Sequence, residues 1–255
     1  MKNYRYFLEF AYNGSGFHGW QIQPNAHTVQ EEMQHALSMI CGNPVMLTGA
    51  GRTDTGVHAR CFFAHFDTAE WFDDSALKLL VARLNRFLPV SISIYDAYCV
   101  KPDVHARFSA LSRTYHYYIS RKKDPFSVDF SWNYTARLDV DSMKIAAGIL
   151  PEYKDFTCFT KSHTQTQTND CLIYESGFIE EGSMLIYHVK ANRFLRNMVR
   201  AIVGTMIEVG KGNIDSGRLR EIVEKGTRSD AGMSVPACGL FLEDIAYPAD
   251  IRLQP

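Results

Sequence analysis

The sequence predicts an α+β protein: two similar α/β units whose sheets are largely antiparallel and backed by helices. Three observations carry this. Apolar alternation marks several strands, as in Tyr6, Leu8, Phe10 and Tyr12 of YRYFLEFAY. Apolar residues at helical spacing mark the segments between them. The second half of the chain then repeats the layout of the first, with a boundary near residues 101–110 that divides the chain into 1–105 and 106–255.

The elements follow in order. After the first strand, Thr28-Val29-Gln30-Glu31 reads as a capping box, and Val29, Met33, Leu37 and Ile40 form a helical face that stops at Gly42. VHARCFFAHF, 57–66, is a strand following a glycine-rich turn. Leu77, Leu80, Val81, Leu84 and Leu88 define a helix ended by Pro89, and VSISIYDAYCV is a strand. In the second half, RTYHYYISR, 113–121, is a strand with Tyr115, Tyr117 and Ile119 on one face. Residues 141–150 form a short helix before Pro151. FTKSHTQTQTND has neither period and reads as a loop. CLIYESGFIE and SMLIYHVKA form a hairpin across Gly182-Ser183. Asn192 is expected to cap a helix running to about Val209 with Gly210 as its stop. A helix at 216–225 and a strand near 239–247 complete the set.

The chain has 255 residues, 46% hydrophobic and 22% charged, with a net charge of −1. Such a composition is that of an ordinary globular protein. The sequence has no apolar run long enough to span a membrane and no signal-peptide core in MKNYRYFLEF. Six scattered cysteines without a C-x-x-C pair argue against a disulfide framework or cysteine zinc site and for a reducing cytoplasm. Charge is unevenly distributed. Arg107, Arg113, Arg121, Lys122 and Lys123 fall in an acid-free window, as do Lys190, Arg193, Arg196 and Arg200. Such windows can assemble a positive surface for a polyanion, although chance clustering on solvated faces gives the same pattern.

The most informative stretch is GAGRTDTGVHAR, 49–60, in which Asp54 lies between Arg52 and Arg60. Asp54-Thr55-Gly56 is also the triplet of aspartic proteases, but that chemistry needs two carboxylates sharing a proton, and the triplet occurs once. Gly49, Gly51 and Gly56 permit a tight turn and close approach of a ligand, while an Asx turn with a surface ion pair is the plainer alternative. Arg193, Arg196 and Arg200, at i, i+3 and i+7, would form one stripe on the expected helix, suited to phosphate or a distant carboxylate. Tyr115 beside Arg113 is either sheet packing or a stacking platform for a base, and the uncharged loop GSGFHGWQIQ is either a buried turn or a base contact. No H-E-x-x-H or H-x-E spacing, P-loop or dinucleotide fingerprint occurs, so zinc deaminase and nucleotide-cofactor readings fail.

GAGRTDTGVHAR resembles the signature of the TruA family of tRNA pseudouridine synthases. FAYNGSGFHGWQ, HARFSALSRTYHYYI, ANRFLRNMVRAIVGTMIEVGKG and GLFLEDIAYP resemble further family blocks, in order, from residue 4 to 248. The resemblance implies a pseudouridine-synthase-like fold with the active-site cleft between the two units. It implies uridine isomerisation at tRNA positions 38, 39 and 40 in the anticodon stem-loop, by a homodimer without cofactor or metal. By the same resemblance Asp54 is the catalytic aspartate, and Arg52 helps hold out the flipped nucleotide. Tyr115 stacks on the target base, Arg200 pairs with the aspartate, and Leu240 lines the pocket. It also implies RNA contacts at Arg60, His105, Arg107, Phe108, Arg113, Asn192, Arg193, Arg196, Thr168 and Asn169. KSHTQTQTNDC departs from the basic loop expected at that place, so contact there would be hydrogen bonding rather than charge. A non-catalytic RNA-binding module is the rival reading, and it leaves Asp54 without a purpose.

Overall fold

The computed structural model describes residues 3–160 and 168–253. The chain divides into two compact units, one of residues 1–111 with 242–255, the other of 112–241.

In the first unit, β1 (Tyr4–Tyr12) lies between β3 (His58–Thr68) and β4 (Ile92–Val100), antiparallel to both, and the short β2 (Thr48–Gly49) pairs with β3. β1 shows apolar alternation on one face, yet Tyr6, Phe7, Leu8 and Phe10 are all fully buried. The reason is its central position: Phe7, on the opposite face, packs against Phe63, Tyr98 and Tyr247. Two helices complete the unit, α1 (Val29–Cys41) and α2 (Asp74–Phe87). Thr28 caps α1 by accepting the Glu31 N–H, and Gly42 ends it at φ 72°. Asp73 caps α2 in the same way through Ala76, and α2 packs on β4.

In the second unit, β8 (Met184–Ala191) lies between β5 (Ser112–Ser120) and β7 (Ile173–Glu181), again antiparallel. The short β6 (Trp132–Asn133) runs parallel to β5. Helix α3 (Val140–Ile149) packs against β7, α4 (Met198–Gly210) and α5 (Ser216–Lys225). The last strand, β9 (Leu240–Ala246), begins in this unit and continues into the segment belonging to the first. The architecture is therefore mixed α/β, with largely antiparallel strand pairing backed by helices.

One expected element is corrected. The helix expected from Asn192 begins only at Met198. Asn192 directly follows β8 instead: its side chain accepts the Leu172 N–H at 2.8 Å, and its carbonyl accepts from the Arg113 guanidinium at 2.8 Å. Asn197 then adopts a left-handed φ of 67° and makes no side-chain cap. Helical hydrogen bonding cannot propagate back through that residue. Gly210 is the helix's last residue rather than its stop, and the chain turns at Gly212 with φ 78°. Of the three arginines only Arg200 is on α4, so the i, i+3, i+7 stripe does not exist.

Candidate active site

The loop carrying Asp54 connects β2 to β3. Its shape is set by contact with a second loop, residues 13–20, and glycine is what permits the contact. A Cβ on Gly14 would lie 2.0 Å from the Val57 carbonyl oxygen, and one on Gly19 2.2 Å from that of Thr53. Gly19 and Gly56 both have positive φ, at 84° and 77°. The Gly56 N–H donates to the Phe17 carbonyl, the Val57 N–H to that of Asp54, and Tyr12 and Thr53 share a hydroxyl hydrogen bond of 2.8 Å. His58, buried, accepts the Gly14 N–H on Nδ1 at 3.1 Å. Asp54 is thereby held half-buried on a braced turn, next to an exposed Arg52. In the neighbouring loop Phe17 and Trp20 are core residues, Trp20 packing on Phe62 at 4.5 Å, while His18, Gln21 and Gln23 face solvent.

Other expected RNA-contact residues of the first unit are distributed in two places. Arg60 is exposed on β3 and forms an ion pair with Glu243 at 3.2 Å. His105, Arg107 and Phe108 share one turn. His105 Nδ1 accepts the N–H groups of Arg107, at 3.0 Å, and of Phe108, at 3.4 Å, so this histidine shapes the turn. Phe108 presents its ring to solvent with the Arg107 guanidinium 5.4 Å from its centre. Behind the turn, His65 Nδ1 accepts the Ala106 N–H at 3.2 Å.

Burial, with Arg5 and His105 adding, pushes His65 down to about 4, and burial also lowers His105. A histidine that is neutral when folded and titrates near its ordinary value when unfolded gives the unfolded chain the greater proton affinity. Stability present above the unfolded pKa is then lost as pH falls toward 4. His65 alone accounts for up to about 3 kcal/mol between pH 7 and pH 4. Urea titrations across that range should show this loss, and His65→Asn, which keeps an acceptor for Ala106 without a titrating ring, should flatten the dependence. Parallel pH profiles for parent and variant would exclude His65 as the source.

The second unit carries the remaining residues. Tyr115 is half-buried on β5, opposite Val189, and meets Phe194 edge to face at 5.0 Å. Tyr117, two residues on, is fully buried and donates to the Pro236 carbonyl at 2.7 Å, so of the two tyrosines it is the packing residue. Arg200, in the first turn of α4, donates from Nε to the Val235 carbonyl at 2.7 Å and accepts the Val235 N–H on its own carbonyl at 3.3 Å. The segment around Val235 is in turn fastened to α4. Asn197 bonds Ser234 at 2.5 Å, and the Gly232 N–H reaches Thr205 Oγ1 at 2.8 Å. Leu240 is buried at the start of β9. Arg113 and Asn192 are joined to one another, Arg193 is half-buried, and Arg196 is exposed ahead of α4. Asn169 donates to Thr157 Oγ1 at 2.9 Å, and Thr168 is exposed. The rest of the Thr/Gln-rich stretch, 161–167, lies outside the described residues.

Sequence reasoning missed the bracing: Gly14, Gly19 and Tyr12 around the acid loop, and Asn197, Ser234 and Val235 around Arg200. The density of glycine in NGSGFHG was a legible signal for the first. Nothing in the pattern at 232–235 announces the second. Among the described residues no group of three or more His, Cys, Asp or Glu is arranged to hold a metal ion. No helix among them is long and apolar enough to cross a membrane.

Comparison with known proteins gives this arrangement its context. A sequence model of the family described as tRNA pseudouridine synthase matches residues 153–248. The protein named tRNA pseudouridine synthase A of Parabacteroides distasonis is 47% identical over 247 residues, covering 97% of each chain. This chain belongs to the tRNA pseudouridine synthase family. Proteins of the same name from Porphyromonas gingivalis and Bacteroides thetaiotaomicron are 46% identical over 252 residues and 45% over 250. They are covered to 99% and 92% of their lengths, by 98% and 97% of this chain. The shared length takes in nearly the whole of this family member.

Proposed function

We propose that this protein isomerises uridine to pseudouridine in tRNA, acting at positions 38, 39 and 40 of the anticodon stem-loop. The observation that carries the reading is near-full-length identity to proteins named tRNA pseudouridine synthase A. The braced turn that carries Asp54 supports it, because RNA binding alone has no use for an acid there.

The reaction breaks the N1–C1′ bond, turns the uracil, and forms a C5–C1′ bond; N1 gains a hydrogen and the C5 hydrogen leaves to solvent. The target base must first leave its stack, at a cost of about a few kcal/mol. In this reading Arg52 fills the vacated space and Tyr115 stacks on the extruded ring. Arg200 pairs with Asp54, which acts as nucleophile or base. Leu240 lines the pocket, while the basic residues Arg60, Arg107, Arg113, Arg193 and Arg196 bind RNA backbone. His105, Phe108, Asn192, Thr168 and Asn169 complete the RNA-contact set. The protein works as a cytoplasmic homodimer of two-domain subunits, two similar folds with the cleft between them, and needs neither metal nor cofactor.

The test is tritium release from tRNA transcripts labelled at C5 of uridine, followed by mapping of the modified positions. Release from positions 38–40 is expected. Tight tRNA binding with no release across a panel of tRNAs would favour a binding module, and release from other positions would overturn the assigned substrate sites.

A further inference from the structure

The segment joining β5 to β6, residues 121–131, has no part in the catalytic or RNA-contact set proposed above and combines two unusual features. Phe126 is 93% exposed and Val128 is 61% exposed. Lone exposed apolar residues are common, but a phenylalanine ring held almost wholly in water is unfavourable unless something covers it. The ring is also not there through looseness. The Phe126 N–H is tied to Asp124 Oδ1 at 3.0 Å, the Phe130 N–H to the Ser127 carbonyl at 3.0 Å, and Ser131 Oγ to the same carbonyl at 2.9 Å. Ser120 Oγ and Asn133 Nδ2 both donate to the Lys122 carbonyl at 2.7 Å. Fixed backbone therefore presents Phe126 outward.

Charge identifies what could cover it. Lys122 and Lys123 are exposed, and neither has an acid within ion-pair distance among the described residues. The acids of the segment are otherwise placed, Asp124 on the Phe126 backbone and Asp129 beside Cys238, whose thiol it helps to raise after burial. A solvent-facing ring flanked by two unpaired lysines matches single-stranded nucleic acid, in which bases offer π-faces and phosphates take the cations. It matches another protein surface less well, since interface centres are depleted in lysine. The loop starts one strand end away from Tyr115, roughly 17 Å at strand rise, which a few nucleotides can span.

We propose that residues 122–126 form an additional RNA-contact element, in which the Phe126 ring stacks on an unpaired base of the tRNA while Lys122 and Lys123 hold adjacent phosphates. The proposal rests on tRNA being the substrate, and its test separates the two. Full-length parent, Phe126→Ala, Phe126→Trp and the Lys122→Ala/Lys123→Ala double variant are compared by C5-tritium release and by filter binding to the same tRNA at several salt concentrations. Loss of one base stack weakens binding by about 5- to 150-fold. Phe126→Ala should raise KM and Kd within that range with kcat changed less than about twofold, and Phe126→Trp should restore both. The double lysine variant should lower the steepness of the salt dependence by about 1.4 to 1.8 in log–log slope, two phosphate contacts' worth. Unchanged KM and Kd for Phe126→Ala would overturn the proposal. So would sedimentation showing that Phe126→Ala dissociates an oligomeric parent, since the ring would then cover another subunit. If the parent releases no tritium, the enzymatic reading fails, while the binding series still decides whether the loop touches RNA.

Discussion

Asp54→Asn is expected to reduce tritium release by about 10³-fold or more while leaving the affinity for tRNA within about threefold of the parent. The substitution is nearly isosteric, and the turn retains main-chain bonds that do not involve the carboxylate. The Val57 N–H is bound to the Asp54 backbone carbonyl, and the Gly56 N–H to Phe17. Gly19 and Gly14 keep their backbone contacts with Thr53 and Val57 whatever stands at position 54. What asparagine removes is the negative charge and the capacity to act as nucleophile or base. A large fall in kcat with an unchanged melting temperature and unchanged Kd would assign chemistry to this side chain. Retention of more than about a tenth of the parental kcat would remove Asp54 from the mechanism and leave the turn as a structural Asx feature.

The legible part of this molecule was the part written in local pattern. Strands β1 and β5 follow from alternation, β3 from its aromatic and β-branched composition, and β7 and β8 from the turn between them, while α1 and α2 follow from helical spacing, α1 with its cap at Thr28. The start of α4 was not legible, because Leu195, Met198, Val199, Ile202 and Met206 keep a helical period across a break that a left-handed Asn197 introduces. All five are buried, so burial alone extends the pattern beyond the helix. Asn192 misled for a related reason. Its side chain suits an N-cap, and here the same amide satisfies a strand-edge N–H at Leu172. In the site, the acid loop declared itself by composition, while the support beneath Arg200 depends on residues more than 30 positions away, a separation that local pattern does not encode.

That support yields the second large effect, and one whose sign is opposite to expectation from helix propensity. Gly204 is in the interior of α4, where replacing glycine by alanine ordinarily stabilises a helix by about 1 kcal/mol. Here a Cβ would lie 1.7 Å from the Met233 carbonyl oxygen, and a Cβ placed on Gly232 would lie 2.5 Å from the Gly204 carbonyl carbon. Two main chains touch, so a methyl group can enter only by pushing residues 232–235 off the helix. The displacement strains the Gly232–Thr205 bond, the Asn197–Ser234 bond and both bonds between Arg200 and Val235. Overpacking of this kind outweighs the propensity gain, and Gly204→Ala should be destabilised by about 2–4 kcal/mol net. For a chain of this size that corresponds to a fall in Tm of roughly 5–15 °C. Gly148→Ala is the matched comparison. It is also helical, in α3, but a Cβ there meets nothing within 4 Å, so the same substitution should leave Tm unchanged or raise it. Assayed well below its melting point, Gly204→Ala should also lose kcat, because Arg200 is no longer held by the Val235 carbonyl. A Gly204→Ala melting temperature equal to or above that of the parent would show that 232–235 yields without cost. The contact with α4 would then not be what fixes the Arg200 side chain.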